Sequence, residues 1–232
     1  MKLAIMQPYF LPYIGYFQLI ASVDRFVVYD NIKYTKRGWI NRNRLLLDAR
    51  DVTFSIPLKN ASDSLNIEDR EIAADFRRDK LVHQFLGAYR RAPYFAEVMP
   101  LVEEIVRFED PNLFKFLHHS IVTMCSHLDI QTDIVVSSQV AMDHGLKGQG
   151  RVLAVCAALG ATTYVNAIGG VELYSKAAFA QENVELMFLR SLPVEYPQFG
   201  APFVPWLSTI DVLMFNSIET VQQSVFRDYE MV

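Results

Sequence analysis

The sequence predicts an α/β fold, with a Rossmann-like, mainly parallel sheet, a β-hairpin and an inserted helical subdomain. Two observations support this prediction. A strand–helix–strand pattern opens the chain and returns after residue 130, whereas residues 75–130 have helical periodicity. The length of 232 residues suits one large domain. We therefore expect a single α/β domain over residues 1–232 with a helical insertion at about 75–130.

The strand–helix–strand pattern is clearest in the first 30 residues. Leu3–Gln7 is a short apolar run that Pro8 ends, which suits a buried parallel strand. Pro12 fits the first turn of a helix. Residues 25–30 are rich in β-formers and end on Asp30, so we expect a second strand there. The two strands and the helix predict a right-handed βαβ unit.

The remaining elements follow from the same periodicities. A hairpin is expected from strands at 45–47 and 52–58, joined by residues 48–51. The helical insertion predicts helices at about 79–91, 96–108 and 111–127. After it, strands are expected at 133–137, 162–166 and 184–189, and helices at 151–159, 171–180 and from Ser208 onward.

Composition excludes several classes of protein. A net charge of −4 argues against a general nucleic-acid or membrane-surface binder. Cys125 and Cys156 lie in separate apolar segments without a Cys or His at ligand spacing, so no metal site is expected. No apolar run is long enough for a signal-peptide core or a transmembrane helix. We expect a soluble, cytoplasmic protein without membrane insertion.

Polar residues follow the first two predicted strands. In open parallel sheets, ligands bind outside the carboxyl ends of the strands. Gln7 and Tyr9 follow the first strand, and residues 30–33 end the second. The helix near Pro12 directs its free amides to the same edge, which favours a phosphate or carboxylate. Gly15 would allow close approach of a ligand or of neighbouring backbone.

The loop after the second strand is strongly basic. It carries five cations within twelve residues, where an even spread of the 22 Lys and Arg would give about one; they are Lys33, Lys36, Arg37, Arg42 and Arg44. Tyr34 and Trp39 offer rings for stacking, and Asn41 and Asn43 offer amides. This combination is typical of a site for a nucleotide, a sugar nucleotide or an acyl phosphate. A solvated basic face is the alternative.

Other motifs are less specific. Gly148–Arg151 and Gly169–Gly170 suit either phosphate-binding loops or ordinary caps and turns, and the glycine pair has the advantage of following a strand end. His118 and His119 diverge by about 100° on a helix, so they cannot face one ion together. The chain has no motif typical of a serine hydrolase, a P-loop kinase or a dinucleotide-binding dehydrogenase.

These residues carry a resemblance to the WbqC-like family that spans nearly the whole chain. The matching segments are Met6–Phe17, Tyr29–Tyr34, Lys36–Asn43, Leu159–Ala161, Gly169–Gly170 with Tyr174, and Pro205–Asp211. The resemblance implies a role in bacterial surface-polysaccharide biosynthesis, O-antigen included. The implied activity is transfer of an aminoacyl group, glycyl in particular, onto an amino sugar.

A more distant similarity links the N-terminal unit to nucleotidylyltransferases and class I aminoacyl-tRNA synthetases. Those enzymes hold ATP phosphates with a His-x-Gly-His element. The equivalent here is Tyr13-Ile14-Gly15-Tyr16, with tyrosine at both histidine positions. Tyrosine is not cationic near neutral pH, so the similarity implies the architecture and leaves adenylyl chemistry in question.

The leading interpretation is an acyl- or aminoacyltransferase acting on a nucleotide-linked amino sugar. Asp30 is the expected general base, and Lys33 would stabilise developing negative charge or act as the base itself. Lys36, Arg37 and Arg42 would bind the pyrophosphate or the activated acyl donor. The other predicted substrate-binding residues are Gln7, Tyr9, Tyr13, Gly15, Tyr16, Trp39, Asn41, Asn43, Gly169, Gly170 and Tyr174.

Two alternatives stay open. One is an ATP-dependent ligase or nucleotidyltransferase that forms its own adenylate, and the other is a non-enzymatic subunit that binds a sugar nucleotide. The expected partner is a small-molecule sugar nucleotide. No cofactor is assigned, with ATP or an activated acyl donor as the candidates, and a charged tRNA also remains open as the donor.

Overall fold

A computed structural model describes all 232 residues. Its strands are β1 Lys2–Met6, β2 Arg25–Val28, β3 Arg42–Leu47, β4 Arg50–Ser55, β5 Asp133–Val136, β6 Thr163–Ala167, β7 Glu185–Ser191 and β8 Tyr229–Met231. Its helices are α1 Ile14–Ala21, α2 Arg78–Tyr89, α3 Phe95–Arg107, α4 Leu113–His127, α5 Gly148–Leu159, α6 Lys176–Gln181, α7 Thr209–Phe215 and α8 Ile218–Arg227. None of these helices combines the length and the apolar character needed to cross a membrane.

The central sheet has six strands in the order β5-β2-β1-β6-β7-β8. Every neighbouring pair is parallel except β7–β8, which is antiparallel. Numbered along the chain, the strands of this sheet run 3-2-1-4-5-6. The direction of winding therefore reverses between β1 and β6, and this reversal is the topological switch point of the sheet. The predicted mixed α/β fold with a mostly parallel sheet is confirmed.

The sheet separates two apolar cores. Side chains alternate along β1, so Leu3 and Ile5 join a core of 13 buried residues, whereas Ala4 joins one of 48. The smaller core packs beneath α5 and α6. The larger core contains buried residues of α1 and of all three insertion helices, α2 to α4. The helical insertion therefore shares one continuous core with the sheet.

The hairpin of β3 and β4 has a tighter turn than the sequence indicates. The ladder continues to Leu47 opposite Arg50, which leaves Asp48 and Ala49 as the connection. Both residues have positive φ, 49° and 58°. Two successive left-handed residues characterise the type I′ turn, whose twist matches that of the flanking strands.

Three further details differ from the sequence-based expectation. The helix expected at 171–180 is divided into a 3-10 turn, Ile168–Leu173, and α6, because Tyr174 and Ser175 are extended. β8 is not predicted from the sequence, and its three residues form an edge strand beside β7. Near the N-terminus, α1 begins at Ile14 with Tyr13 as its N-cap, so Pro12 precedes the helix.

Candidate ligand-binding site at the switch point

A cavity of about 470 Å³ lies where β1 and β6 end. Its wall is formed by the β1–α1 turn, the end of β2, the segment after β6 and the ring of Trp39. No charged side chain lines it. The polar lining consists of neutral groups, namely Gln7, Tyr9, Tyr13, Tyr16, Tyr29, Asn166 and Tyr174. The switch-point cavity is therefore aromatic, uncharged and rich in hydroxyl and amide groups.

The end of β1 supplies a hydrogen-bonded corner of the cavity. The Gln7 Nε2 donates to the Tyr9 hydroxyl at 2.8 Å, and the Tyr16 hydroxyl donates to the Gln7 carbonyl at 3.1 Å. The rings of Tyr9 and Tyr16 lie 5.6 Å apart. These contacts fix the tyrosines and leave the hydroxyl proton of Tyr9 free to donate to a ligand.

The end of β6 places a buried amide against the same cavity. Asn166 is 5% exposed, and its Oδ1 accepts a hydrogen bond from the Ala167 amide at 2.8 Å. Its Nδ2 donates to no protein acceptor. A Cβ at position 170 would collide with that Nδ2, whereas a Cβ at position 169 would meet no atom within 4 Å. Because residue 170 is glycine, the Asn166 side-chain amide has room to lie where it does against the cavity.

Helix α1 starts at the cavity wall. Its N-cap, Tyr13, makes no side-chain hydrogen bond to the first turn. Gly15 lies under the Tyr13 ring, because a Cβ at position 15 would collide with that ring. The first amides of a helix carry partial positive charge, so they favour an anionic or acceptor group of a ligand.

Burial keeps the cavity tyrosines neutral. It raises the pKa of the phenols of Tyr9 and Tyr13, and it raises that of Tyr16 well above its ordinary value. Burial also raises the pKa of Tyr29 to about 12, against the opposing effect of the Arg151 guanidinium. These phenols therefore act as hydrogen-bond donors at neutral pH rather than as bases.

The cations of the basic loop are largely paired within the protein. Arg42 donates to the carbonyls of Gly38 and Arg37 at 3.0 and 2.6 Å. Lys36 pairs with Asp63 at 2.7 Å, and Arg44 pairs with Asp51 at 3.1 Å. Lys33 and Arg37 are exposed and make no ion pair. Those two cations remain for a ligand at the rim.

The predicted loop amides hold the loop in place and do not line the switch-point cavity. Asn41 accepts from the Tyr34 hydroxyl at 2.7 Å and donates to the Ile56 carbonyl at 2.7 Å. Asn43 is buried and donates to the carbonyls of Phe10 and Leu11. These bonds connect the hairpin to the β1–α1 turn, which positions Trp39 beside the cavity.

Asp30, the predicted general base, also lies outside the cavity lining. It is 3% exposed. Its carboxylate accepts hydrogen bonds from the Ser137 hydroxyl at 2.7 Å, the Ser138 amide at 2.9 Å and the Ser138 hydroxyl at 2.5 Å. Asp30 thus joins the end of β2 to the end of β5, while the preceding residue, Tyr29, faces the cavity.

The segment at Gly148–Arg151 forms the start of α5 and supports the cavity from behind. The Arg151 guanidinium lies 5.1 Å from the centre of the Tyr29 ring and donates to the backbone carbonyl and the side-chain oxygen of Asn31. Gln149 Oε1 accepts from the Ser175 amide at 2.7 Å. The structure brings together no group of three or more His, Cys, Asp or Glu side chains that could hold a metal ion.

The structure therefore divides the predicted residues into two groups. Those that line the switch-point cavity are Gln7, Tyr9, Tyr13, Gly15, Tyr16, Trp39, Gly169, Gly170 and Tyr174, and those that do not are Asp30, Lys33, Lys36, Arg37, Asn41, Arg42 and Asn43. Tyr29 and Asn166 also line this cavity and are not predicted from the sequence. Their positions follow from two rules: ligands bind at the carboxyl ends of parallel strands, and side chains alternate between the two faces along a strand.

Comparison with known proteins shows the family and gives no activity. The model of the WbqC-like protein family matches residues 7–223. A protein of Mycobacterium tuberculosis, named "Uncharacterized protein Rv1507c", is 28% identical over 219 residues, which cover 93% of each chain. No solved structure matches the chain.

Proposed function

The chain belongs to the WbqC-like protein family, and we propose that it transfers an acyl or aminoacyl group, such as glycyl, onto a nucleotide-linked amino sugar in bacterial surface-polysaccharide biosynthesis. The observation that carries this proposal is the neutral, aromatic cavity at the switch point. Clefts with apolar walls and a few convergent polar groups are typical small-molecule sites. In the reaction, this cavity would hold the nucleotide and the transferred group, and the amino group of the sugar would enter it beside Tyr9.

The strand order supports a nucleotide as one part of the ligand. The order 3-2-1-4-5-6 is that of Rossmann-like, doubly wound sheets, which bind nucleotides where the order reverses. In the proposal, aromatic rings such as Tyr9 stack against the ligand. Its phosphates lie at the start of α1, with Lys33 and Arg37 as the cations at the rim.

The absence of charge in the cavity wall suits aminolysis. An amine that enters an apolar, uncharged site loses hydration, which disfavours its ammonium form and lowers its pKa. The proton leaves to solvent, and the neutral amine attacks the acyl carbon. A C–N bond then forms as the bond to the donor's leaving group breaks, and the second proton of the attacking amine passes to the departing group or to solvent. Asn166 Nδ2 and the Tyr9 hydroxyl are free donors for the negative charge that develops on the acyl oxygen.

Asp30 and Lys33 change roles in this proposal. Asp30 is a positioning residue, because its carboxylate already accepts hydrogen bonds from Ser137 and Ser138. By ordering the end of β2 it would hold the neighbouring Tyr29 ring in the wall. Lys33 is exposed and acts as a cation for the ligand's phosphates rather than as a base.

Mass spectrometry of the reacted sugar nucleotide tests the proposal. The protein is incubated with UDP- and dTDP-linked 2-, 3- and 4-amino sugars and with preformed glycyl donors, including glycyl-tRNA and a glycyl thioester. The expected product is one sugar nucleotide whose mass has increased by a single glycyl residue. An Asn166→Ala variant should bind the acceptor more weakly and form product more slowly, because it lacks that amide donor.

Further measurements distinguish the alternatives. Hydroxamate formed from ATP, glycine and hydroxylamine, with release of pyrophosphate, would assign an ATP-dependent ligase instead. Binding of an amino-sugar nucleotide without turnover by any donor would assign a non-enzymatic binding subunit. Failure of every amino-sugar nucleotide to bind would contradict the proposal altogether.

A further inference from the structure

We propose that the cavity between Trp39 and Trp206 binds a pyranose ring, and that this ring is the sugar end of the ligand whose nucleotide occupies the switch-point cavity. The second cavity has a volume of about 210 Å³. Tyr9, Tyr13 and Trp39 belong to the walls of both cavities, so one ligand can extend from the first into the second. The identity of the nucleotide end rests on the proposed function, whereas the site for the ring is argued from the residues below.

Both tryptophans of the chain are at this cavity, and both are unusually exposed. Trp39 is 39% exposed and Trp206 is 55% exposed. Aromatic side chains of this size supply much of the binding energy of proteins when they are covered, because they combine a large apolar face with a rigid ring. Two exposed indoles at one concave site therefore indicate a ligand with an apolar face.

The backbone holds Trp206 in a strained conformation. Its φ is +60°, a value that is an outlier for a bulky residue. Arg44 fixes this conformation, because its Nη2 donates to the Trp206 carbonyl at 2.9 Å and its own carbonyl accepts from the Ser208 amide at 3.0 Å. Strain of this kind persists at sites where it positions a functional group.

The geometry of the walls favours a pyranose over a flat base. The rings of Tyr13 and Trp206 meet at 71°, with their centres 6.1 Å apart. A planar base between two aromatic walls needs faces that are nearly parallel. A pyranose can place the C–H groups of one face against one ring and direct its hydroxyl groups toward the edges.

The polar groups of the second cavity suit a neutral ligand with hydroxyl groups. The Arg44 charge is already balanced by Asp51 at 3.1 Å. A guanidinium has five N–H donors, and the two bonds to Asp51 and Trp206 leave others for hydroxyl oxygens. The Tyr13 hydroxyl has no partner in the protein. The Asn43 amide is committed to backbone carbonyls, so it orders the wall rather than the ligand.

Fluorine NMR of the protein labelled with 5-fluorotryptophan tests this inference directly. The chain has two tryptophans, so the Trp39→Phe and Trp206→Phe variants assign both resonances. The probes are the methyl glycosides of N-acetylglucosamine and N-acetylgalactosamine, UDP alone, and the corresponding UDP-sugars. We expect a methyl glycoside and its UDP-sugar to shift the Trp206 resonance, whereas UDP alone leaves that resonance unchanged.

Affinity measurements give a second readout, which remains usable if any one variant fails to fold. Trp206→Ala should weaken the binding of the UDP-sugar about three- to tenfold, as expected for loss of one aromatic contact, and should leave UDP affinity unchanged. Trp206→Phe should retain most of the affinity. Phe226→Ala on α8, which removes an aromatic ring that is 43% exposed, is the matched control and should have no effect.

Two outcomes would overturn the inference. One is a Trp206 resonance that neither glycosides nor UDP-sugars shift, and the other is a shift of equal size with UDP alone. If UDP-sugars bind without involving Trp206, the inference fails while the proposed function stands. If free glycosides shift Trp206 but no nucleotide or sugar nucleotide binds, the pyranose site stands and the proposed function fails.

Discussion

At the scale of single residues, Gly170 has a role that its neighbour Gly169 does not share. A Cβ at position 170 would collide with Asn166 Nδ2, whereas a Cβ at position 169 would enter open space. We expect Gly170→Ala to displace the Asn166 amide and to weaken ligand binding about tenfold, since one misplaced polar contact costs about 1–1.5 kcal/mol. Isothermal titration with the sugar nucleotide identified in the product assay measures the effect.

Gly169→Ala is the matched control for this substitution. It adds the same methyl group one residue earlier in the same 3-10 turn, where no atom lies within 4 Å. Its affinity should equal that of the unmodified protein. Equal losses in both variants would mean that the turn itself, and not the place of Asn166, determines binding.

Asp30 is the residue on which the sequence and the structure suggest different roles. A general base contributes roughly 10²- to 10⁴-fold to a rate, and an Asn substitution would remove that contribution. As a positioning residue, Asp30→Asn keeps an oxygen for the Asn31 amide and for Ser137 and Ser138, so we expect kcat/KM within a few-fold of the parent. The pH dependence of kcat should also stay unchanged.

Asp30→Ala is the complementary substitution. It leaves several buried donors without an acceptor, and we expect the free energy of unfolding to fall by about 1–3 kcal/mol. Urea denaturation measures this loss. A drop in kcat of two orders of magnitude for Asp30→Asn, at unchanged stability, would restore Asp30 as the base.

At the scale of elements, Asp211 links α7 to two other parts of the chain. Its buried carboxylate accepts from Tyr89 of α2 at 2.8 Å, and from Tyr196 and Gln198 of the segment between β7 and α7 at 2.7 Å each. Burial raises the pKa of the Asp211 carboxyl, and the three hydrogen bonds only partly oppose this effect. The protonated form is therefore relatively favoured in the folded state.

This shift gives a stability term with a defined sign. A folded pKa above the unfolded value of about 3.9 stabilises the protein fully below that value, and the term is lost as pH rises through the folded pKa. We expect Asp211→Asn, which keeps a neutral side chain, to gain stability relative to the parent between about pH 4 and neutrality. Urea denaturation across that range measures the difference, with Asp129→Asn as a surface-charge control. If the parent instead became more stable relative to Asp211→Asn as the pH rises, the prediction would be contradicted.

The hairpin turn offers a second test at this scale. Ala49 has a φ of 58°, where an alanine Cβ is crowded and glycine is not. We expect Ala49→Gly to raise the free energy of unfolding by roughly 0.5–1 kcal/mol. Ala157→Gly in the exposed face of α5 should lower it by about 1 kcal/mol. Thermal unfolding of the two variants compares them, and a loss of stability in both would argue against the left-handed turn.

The elements that the sequence predicts best are those with strong periodicity. The helices α2, α3 and α4 and the strands β1 and β6 agree within one or two residues, because apolar spacing alone defines them. β8 has three residues and exists only because β7 is beside it. The direction of a single side chain is harder still. The sequence places Tyr29 and Asp30 at one strand end, and only the serines that follow β5 decide that Asp30 turns away from the cavity.

The pairing of the cations in the basic loop is likewise hard to predict from the sequence. Its five cations stand out in the sequence, but two of them pair with acids outside the loop, Lys36 with Asp63 and Arg44 with Asp51 on the opposite strand of the hairpin. A local count of charges cannot detect such pairing. The cavity residues Gln7 and Tyr9 were predictable because they follow β1 closely, and the rule for parallel sheets then places them at the edge where the cavity lies.

At the scale of the whole molecule, the insertion and the sheet share one core. The buried rings of Phe10 and Phe116 lie 5.7 Å apart and connect the β1–α1 turn to α4, and the Tyr89 hydroxyl accepts from the Leu46 amide of the hairpin at 2.9 Å. The walls of both cavities rest on these contacts. The site should therefore exist only while the insertion is folded.

Cooperative unfolding is the consequence that can be measured. Far-UV circular dichroism follows the helices, whereas tryptophan fluorescence follows Trp39 and Trp206 at the two cavities. If the core is continuous, both signals should change at the same urea concentration.

Phe85→Ala in α2 removes a fully buried ring and should lower the free energy of unfolding by about 3–5 kcal/mol. Because the whole core unfolds together, this loss of stability should shift the dichroism and the fluorescence transitions by the same amount, although Phe85 lines neither cavity. Leu86→Ala, at the neighbouring and 40% exposed position, is the control and should move neither appreciably. A Phe85→Ala protein whose dichroism changes at lower urea than its fluorescence would show that the insertion unfolds by itself and that the site does not depend on it.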